Sequence, residues 1–207
     1  MSSSEPTPTI HYRPMTAEDL GAVPIGHQGD EQEVRARIQD LGSSAILAFD
    51  GTQHVGQLQF RRYAADTRSP KGLWDPLYWG EFGNAAPALP DRSLSIYCYH
   101  VGQLDDTDDR DARYQGRGIG LRLLDHFLDW ARQAGFAAVT AKATPTPRAV
   151  MAFMGGQPPK AYQERGFEVF SSVVDTELRD LVKDRQLVPA DADHDSAARI
   201  SYCVKLF

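Results

Sequence analysis

The chain has 207 residues, of which 42% are hydrophobic and 24% are charged, a composition typical of one globular domain. No apolar run approaches the ~20 residues of a membrane-spanning helix, so we expect no membrane association. The formal net charge of -6 disfavours nucleic acid as a partner, because binding to a phosphate backbone requires a basic surface. The polar N-terminus lacks the features of a signal peptide and predicts a disordered tail over residues 1–8 of a cytoplasmic protein.

The first half of the chain predicts alternating strands and helices. A strand over residues 10–13 leads into a helix with a cap-like start at Thr16, and a second helix runs to Gly42. Two strands follow around Asp50-Gly51, a dipeptide typical of tight hairpins. Residues 64–93 show no period and are predicted as a long loop insertion, with the aromatic residues Trp74, Tyr78, Trp79 and Phe82. These aromatics are open to three interpretations: a small core, a lid on an acceptor pocket or a dimer contact.

The second half begins with a strand over residues 93–101 and an Asp-rich loop over residues 105–111. This loop is interpreted as solvated, with attraction of a cationic amine as the alternative. A helix then has one apolar stripe, formed by Leu123, Leu124, Phe127, Leu128 and Ala131. The remaining predicted elements are a strand over 137–143, a helix from Pro158 to Gly166, a strand over 167–174, a helix over 175–186 and a strand over 199–207. Cys98 and Cys203 lie in apolar stretches without metal-ligand spacing, so we predict buried reduced thiols and no metal site.

A glycine-rich turn precedes the striped helix. Its residues are Gln115, Gly116, Arg117, Gly118, Ile119 and Gly120. The first N–H groups of a helix lack intrahelical partners and lie at the positive end of the helix dipole, a geometry that binds phosphate. Arg113 and Arg117 add positive charge. The dinucleotide pattern G-x-G-x-x-G fails because Leu121 follows Gly120, and no phosphate-loop Gly-Lys-Ser/Thr is present.

These residues resemble the GNAT superfamily of acyl-CoA-dependent N-acyltransferases. The family's pyrophosphate turn, Gln/Arg-x-x-Gly-x-Gly/Ala, is matched by Gln115, Gly118 and Gly120. Its second signature, Tyr-x-x-x-Gly-Phe, is matched by Tyr162, Gly166 and Phe167. The stretch YRPMTAEDL is similar to the family's opening Arg-Pro-x-x-x-x-Asp, here Arg13, Pro14 and Asp19. The resemblance implies a single α/β domain over residues 9–207, with a mixed, twisted sheet of about seven strands and helices on both faces.

The resemblance also implies acetyl transfer from acetyl-CoA, as co-substrate, to a primary amine. In the family the pyrophosphate binds to the turn, here Gln115 to Gly120, and pantetheine pairs with the preceding strand, here around Tyr99, Val101 and Gly102. A strand N–H in the same stretch stabilises the oxyanion. Tyr162 stands where the family's tyrosine protonates the CoA thiolate. The structural alternative for Tyr162 is a ring that only packs in the core.

The general base is not settled by the sequence. The strand over residues 93–101 carries no Asp or Glu, whereas several family members have a catalytic glutamate there. His100 is one candidate base, and Glu81, acting through a water, is another. Direct attack by an already neutral amine, without a general base, is also open. The structural alternative for His100 is a histidine that only forms a hydrogen bond with a backbone group.

Several functional alternatives stay open. A small-molecule amine is the preferred acceptor, with a peptide or protein amine as the second choice. Because the strand carboxylate is missing, a non-catalytic CoA-binding sensor is a further alternative, and a nucleotide-binding protein of another fold is the weakest. A homodimer and acyl groups longer than acetyl are also left open.

Overall fold

The computed structural model describes residues 9–64, 86–107 and 109–207. The predictions for the N-terminal tail, for the aromatic residues of the long loop and for Glu81 lie outside these ranges. Among the described residues the strands are β1 (Ile10–Pro14), β2 (Ala45–Asp50), β3 (Gln53–Arg62), β4 (Ser93–Val101), β5 (Ala138–Ala143), β6 (Glu168–Val174) and β7 (Arg199–Leu206). The α-helices there are α1 (Glu31–Leu41), α2 (Ile119–Gln133), α3 (Arg148–Met154), α4 (Pro159–Gln163), α5 (Thr176–Asp184) and α6 (His194–Ala197).

The predicted single-domain α/β fold with a mixed sheet is confirmed. Over the described residues the seven strands take the order β1-β2-β3-β4-β5-β7-β6. β4 and β5 are parallel, whereas β1 with β2, β5 with β7, and β6 with β7 are antiparallel. The chain divides into two compact units: one runs up to Leu58 and includes His100–Trp130, and the other consists of Gln59–Tyr99 and Ala131–Phe207.

In the first unit, helix α1 is fixed at both ends by its sequence. The carboxylate of Asp30 accepts a hydrogen bond from the Glu33 N–H, and the carboxylate of Glu33 accepts one from the Asp30 N–H. The helix ends at Gly42, as predicted, and the Gly42 N–H donates to the Ile38 carbonyl over 2.8 Å. The helix therefore presents Val34 to a buried cluster whose other members are Met15, Val23, Ala45 and Leu47.

The helix predicted from Thr16 is wrong, because only one 3-10 turn forms, over Ala17–Asp19. The carboxylate of Asp19 accepts hydrogen bonds from the Thr16 N–H and from the Arg13 guanidinium, each at 2.8 Å. These bonds close the turn on itself, and Leu20 then takes an extended conformation that ends the helix. The Arg-Pro-x-x-x-x-Asp pattern is therefore a local clamp between the end of β1 and this turn.

The second unit contains β5, β6 and β7 with the shorter helices. Its buried cluster consists of Val150, Leu178, Val182, Ala197, Ala198, Ile200 and Tyr202. Helices α3 and α6 were not predicted. α3 is only seven residues long and has apolar residues around most of its circumference, so it shows no helical period, and α6 is a four-residue turn capped by Asp193.

The predicted stripe of α2 is buried: Leu123, Leu124 and Phe127 are each 0% exposed. Cys98 and Cys203 are both buried free thiols, as predicted. None of the described helices combines the length and the apolar character needed to cross a bilayer.

We expect Asp19→Ala to lower the free energy of unfolding by about 2 to 3 kcal/mol, because it removes the charged acceptor of Arg13 and of the Thr16 N–H from a position that is 7% exposed. Urea denaturation of the purified variants would measure the change. Glu18→Ala is the control at the neighbouring exposed position, where the change should stay within ~0.5 kcal/mol. Equal losses in both variants would contradict the clamp.

Candidate functional site

The glycine-rich turn, in the first unit, has the backbone that its sequence predicts. Gly116 has φ +70° and Gly118 has φ +74°, in the left-handed region that glycine favours. A Cβ added to either residue would meet no atom within 4 Å. Both glycines therefore leave the backbone open to an approaching ligand.

Helix α2 begins directly after this turn. The Gly118 carbonyl accepts the first helical hydrogen bond, from the Arg122 N–H over 3.1 Å. Ile119 is 2% exposed and anchors the start of the helix in the core. The N–H groups of the first helical turn have no partners in their own helix, so they are available to an anion.

The two arginines near the turn differ in their surroundings. The guanidinium of Arg113 pairs with the carboxylate of Asp111, with Nη2 to Oδ2 at 2.6 Å. This hydrogen bond lowers the pKa of Asp111, which keeps the carboxylate charged beside the arginine. The positive charge expected from Arg113 is therefore offset, whereas Arg117 lies half-buried within the turn itself.

The Asp-rich loop folds back on the end of β4. The Asp111 N–H donates to the Gly102 carbonyl over 2.8 Å, and the Gly102 N–H donates to the Val55 carbonyl over the same distance. Both backbone groups of Gly102, expected to pair with pantetheine, are therefore already bonded within the chain. Val101 is the last residue of β4 and lies next to this closure.

His100 is 3% exposed, on β4. Desolvation by burial lowers its pKa to about 4, and the nearby charges of His27 and Arg110 act in the same direction. His54 on β3 is similar: desolvation by burial also lowers its pKa to about 4. Both imidazoles are therefore neutral at pH 7.

His27 was not identified from the sequence as a functional candidate. It is exposed, and its ring stands edge-on to that of His100 with the centroids 4.8 Å apart. The glycines on either side of the segment, Gly26 and Gly29, were the one sequence signal for an unusual loop here. A pocket of roughly 310 Å³ opens at this loop, lined by Ile25, Gly26, His27, Gly29, Gln103 and Asp106.

Tyr162, in the second unit, is the first residue of the Tyr-x-x-x-Gly-Phe motif. Gly166 has φ +78°, which lets the chain reverse so that the Phe167 N–H donates to the Tyr162 carbonyl over 3.2 Å. The Phe167 ring then packs edge-on against that of Tyr162, with the centroids 5.2 Å apart. The motif therefore fixes the position of the tyrosine at the end of α4 through these two contacts.

The structure brings Tyr162 together with Tyr99 of β4. The Tyr162 hydroxyl donates to the Tyr99 hydroxyl over 3.2 Å, and both residues are buried. Desolvation by burial raises the pKa of Tyr162, so its hydroxyl keeps its proton at neutral pH. The Tyr99 N–H donates to the Gly155 carbonyl over 3.1 Å.

Comparison with known proteins finds a family similarity over part of the chain. Residues 92–154, less than a third of the chain, match the family model described as the acetyltransferase (GNAT) family. Over that stretch the chain is similar to GNAT acetyltransferases, and the match indicates an N-acyltransferase. Among curated proteins, no sequence matches this chain significantly.

Solved structures share the GNAT fold at low sequence identity. An acetyltransferase of the GNAT family from Streptococcus pneumoniae is 13% identical with a TM-score of 0.53, covering 96% of this chain and 100% of that chain. Mosquito arylalkylamine N-acetyltransferase like 5b is 16% identical with a TM-score of 0.53 and the same coverage. An agmatine N-acetyltransferase mutant is 13% identical with a TM-score of 0.55, again covering 96% and 100%.

The buried histidines make the stability of the domain depend on pH. The pKa values of His54 and His100 lie below the ~6.5 of an unfolded histidine, so the unfolded chain binds more protons at acidic pH. The free energy of unfolding should therefore fall as the pH drops from about 6.5 towards 4. Between pH 7.5 and 5 we expect each imidazole to cost on the order of 2 kcal/mol.

Urea midpoints across this pH range would measure the slope in the wild type and in the double variant His54→Gln/His100→Gln. The double variant should show the shallower slope, whatever its stability at pH 7.5. His11→Gln changes an exposed histidine and should retain the wild-type slope. Identical slopes in all three proteins would contradict the burial of neutral imidazoles.

Proposed function

We propose that this GNAT domain transfers the acetyl group of acetyl-CoA to a primary amine of a small molecule. The observation that carries this proposal is the turn before α2, where Gly116 and Gly118 have positive φ and open space on the side that a Cβ would occupy. A helix N-terminus approached through such a turn suits the pyrophosphate of CoA, because backbone N–H groups can reach the phosphate oxygens directly. Arg117 adds a positive charge within the same turn.

The reaction proceeds by attack of the amine nitrogen on the thioester carbon. The N–C bond forms, the C–S bond breaks, the amine loses a proton and the CoA thiolate gains one. We assign the donation to the thiolate to Tyr162, whose hydroxyl stays protonated at neutral pH because burial raises its pKa. The Tyr99 N–H is the candidate oxyanion donor once it is released from Gly155.

His100 remains a candidate for the acceptor of the amine's proton. It is neutral at pH 7, but with a pKa of about 4 it is a weak base, so a proton taken up there must pass on quickly. The exposed ring of His27, 4.8 Å from that of His100, offers a route towards solvent. Direct attack by the neutral fraction of the amine needs no base and is the alternative.

A small cationic amine is the acceptor class that the first unit favours. Asp106 lines the pocket beside His27, and the protein's net charge of -6 attracts cations. Two proteins with a similar fold are named for amine substrates, agmatine and arylalkylamines. A pocket of roughly 310 Å³ suits a molecule of that size.

We expect acetyl-CoA, and neither ATP nor NAD, to raise the melting temperature of the purified protein. A ligand at ~100 times its dissociation constant adds ~2.7 kcal/mol to the free energy of unfolding. For a domain of this size that corresponds to a rise of roughly 5 to 10 °C. Differential scanning fluorimetry with the three ligands in parallel would measure it. The absence of a shift with acetyl-CoA, in a sample that is folded and free of CoA, would refute the proposed function.

We expect Tyr162→Phe to lower kcat by ~10²-fold or more, because the thiolate then leaves without its proton donor. The dissociation constant of acetyl-CoA should stay within about threefold of the wild type, since the hydroxyl acts on the departing thiolate. Thiol release with agmatine, an arylalkylamine and a short peptide with a free N-terminus would supply kcat and also rank the acceptor classes.

Tyr202→Phe is the matched control for this variant. It removes another buried tyrosine hydroxyl of the second unit, which donates to Thr140 over 3.3 Å, and it should leave kcat unchanged. If the wild type binds acetyl-CoA but turns over no amine, the sensor alternative replaces the enzyme. If Tyr162→Phe and Tyr202→Phe lose the same activity, Tyr162 is only structural.

A further inference from the structure

The strands β4 and β5 stop pairing before either of them ends. Their parallel register runs from Ser93 with Ala138 to Ile96 with Ala141. Beyond this point the Tyr99 N–H donates to the Gly155 carbonyl over 3.1 Å, and the Thr144 N–H, just after β5, donates to the Gln157 carbonyl over 2.9 Å. The segment Gly155–Gln157 therefore accepts one hydrogen bond from each of the two diverging strands.

This segment packs closely against both strands at its first two positions. A Cβ on Gly155 would lie 3.3 Å from the Tyr99 carbonyl oxygen, and a Cβ on Gly156 would lie 2.5 Å from Cγ2 of Thr144. Gly155 also has φ +63° and ends α3, with its N–H donated to the Met151 carbonyl over 3.0 Å. The two glycines thus let the chain's own backbone fill the wedge between the strands.

Pantetheine would need the same strand edge. On the proposed function, on which this inference rests, the arm of acetyl-CoA lies along β4 and its thioester carbonyl accepts the Tyr99 N–H. The amide of Tyr99 has one hydrogen, and Gly155 now accepts it. We propose that Gly155–Gln157 is an internal plug that acyl-CoA displaces from the wedge when it binds.

The plug is joined directly to the candidate acid. Pro158 and Pro159 follow it and begin α4, which carries Tyr162. The Tyr162 hydroxyl is bonded to that of Tyr99, the residue whose amide holds the plug. Displacement of the plug would therefore release the Tyr99 N–H and shift the start of α4, so that binding of acyl-CoA also frees the hydroxyl of Tyr162.

A disulfide between positions 144 and 156 can test the plug, because these positions are already close enough to be linked. The Cβ built on Gly156 lies 3.8 Å from the Cβ of Thr144, which is about the mean separation in disulfides. The double variant Thr144→Cys/Gly156→Cys should therefore close the plug when oxidised and release it when reduced. Isothermal titration with acetyl-CoA would compare the two forms with the wild type and with each single variant under the same oxidant.

We expect oxidation to weaken acetyl-CoA binding by at least tenfold in the double variant, and reduction to restore it. The single variants should bind equally well with and without oxidant, which would exclude effects of the buried Cys98 and Cys203. Equal affinity of the oxidised and reduced double variant would overturn the plug while leaving the proposed function intact. No binding to the wild type would overturn the proposed function, and the plug with it.

Hydrogen exchange on the wild type supplies a second test that needs no substitution. With acetyl-CoA bound, the Tyr99 amide should stay protected, because the ligand replaces the Gly155 carbonyl as its acceptor. The Thr144 amide should exchange faster, because its bond to the Gln157 carbonyl is lost. Increased protection at Thr144 on binding would contradict displacement of the plug.

Discussion

A backbone amide has one hydrogen to donate, and the part of the candidate site in the second unit depends on where Tyr99 donates its own. In this structure the acceptor is the Gly155 carbonyl, and the hydroxyl of the same residue is bonded to Tyr162. The edge of β4, the segment after α3 and the candidate acid on α4 are therefore linked through one residue. In the described conformation, both polar groups that Tyr99 contributes to this arrangement, its backbone N–H and its hydroxyl, have partners within the chain.

Burial shifts three of the described titratable side chains towards their neutral forms. It raises the pKa of Tyr162 and lowers those of His54 and His100. A neutral tyrosine suits donation of a proton to a thiolate, whereas a weakly basic histidine cannot retain a proton from an ammonium ion. On the proposed function, both shifts favour attack by an amine that has already lost its proton.

Much of the fold and part of the site could be predicted from the sequence. The stripe of α2, the turn before it and the Tyr-x-x-x-Gly-Phe motif are local patterns, in which spacing determines geometry. The pairing of His27 with His100 and the contact of Gly155 with Tyr99 join residues far apart in the chain, so no local pattern contains them. The helix expected at Thr16 failed for the opposite reason: a local clamp through Asp19 competed with the helix and closed after one turn.

The glycines of the turn before α2 and those of the segment Gly155–Gln157 show how one residue type serves two purposes. The missing side chain at Gly118 leaves space that nothing else in the described chain fills, whereas at Gly156 it leaves space that Thr144 already occupies. Open space beside a helix N-terminus allows a ligand to reach the backbone. Occupied space at the Cβ position shows instead that the backbone packs closely against another part of the chain. The sequence motif identified the glycines of QGRGIG, whereas no motif marked those of MGGQPP, and the surroundings of each Cβ position distinguish an open turn from a packed one.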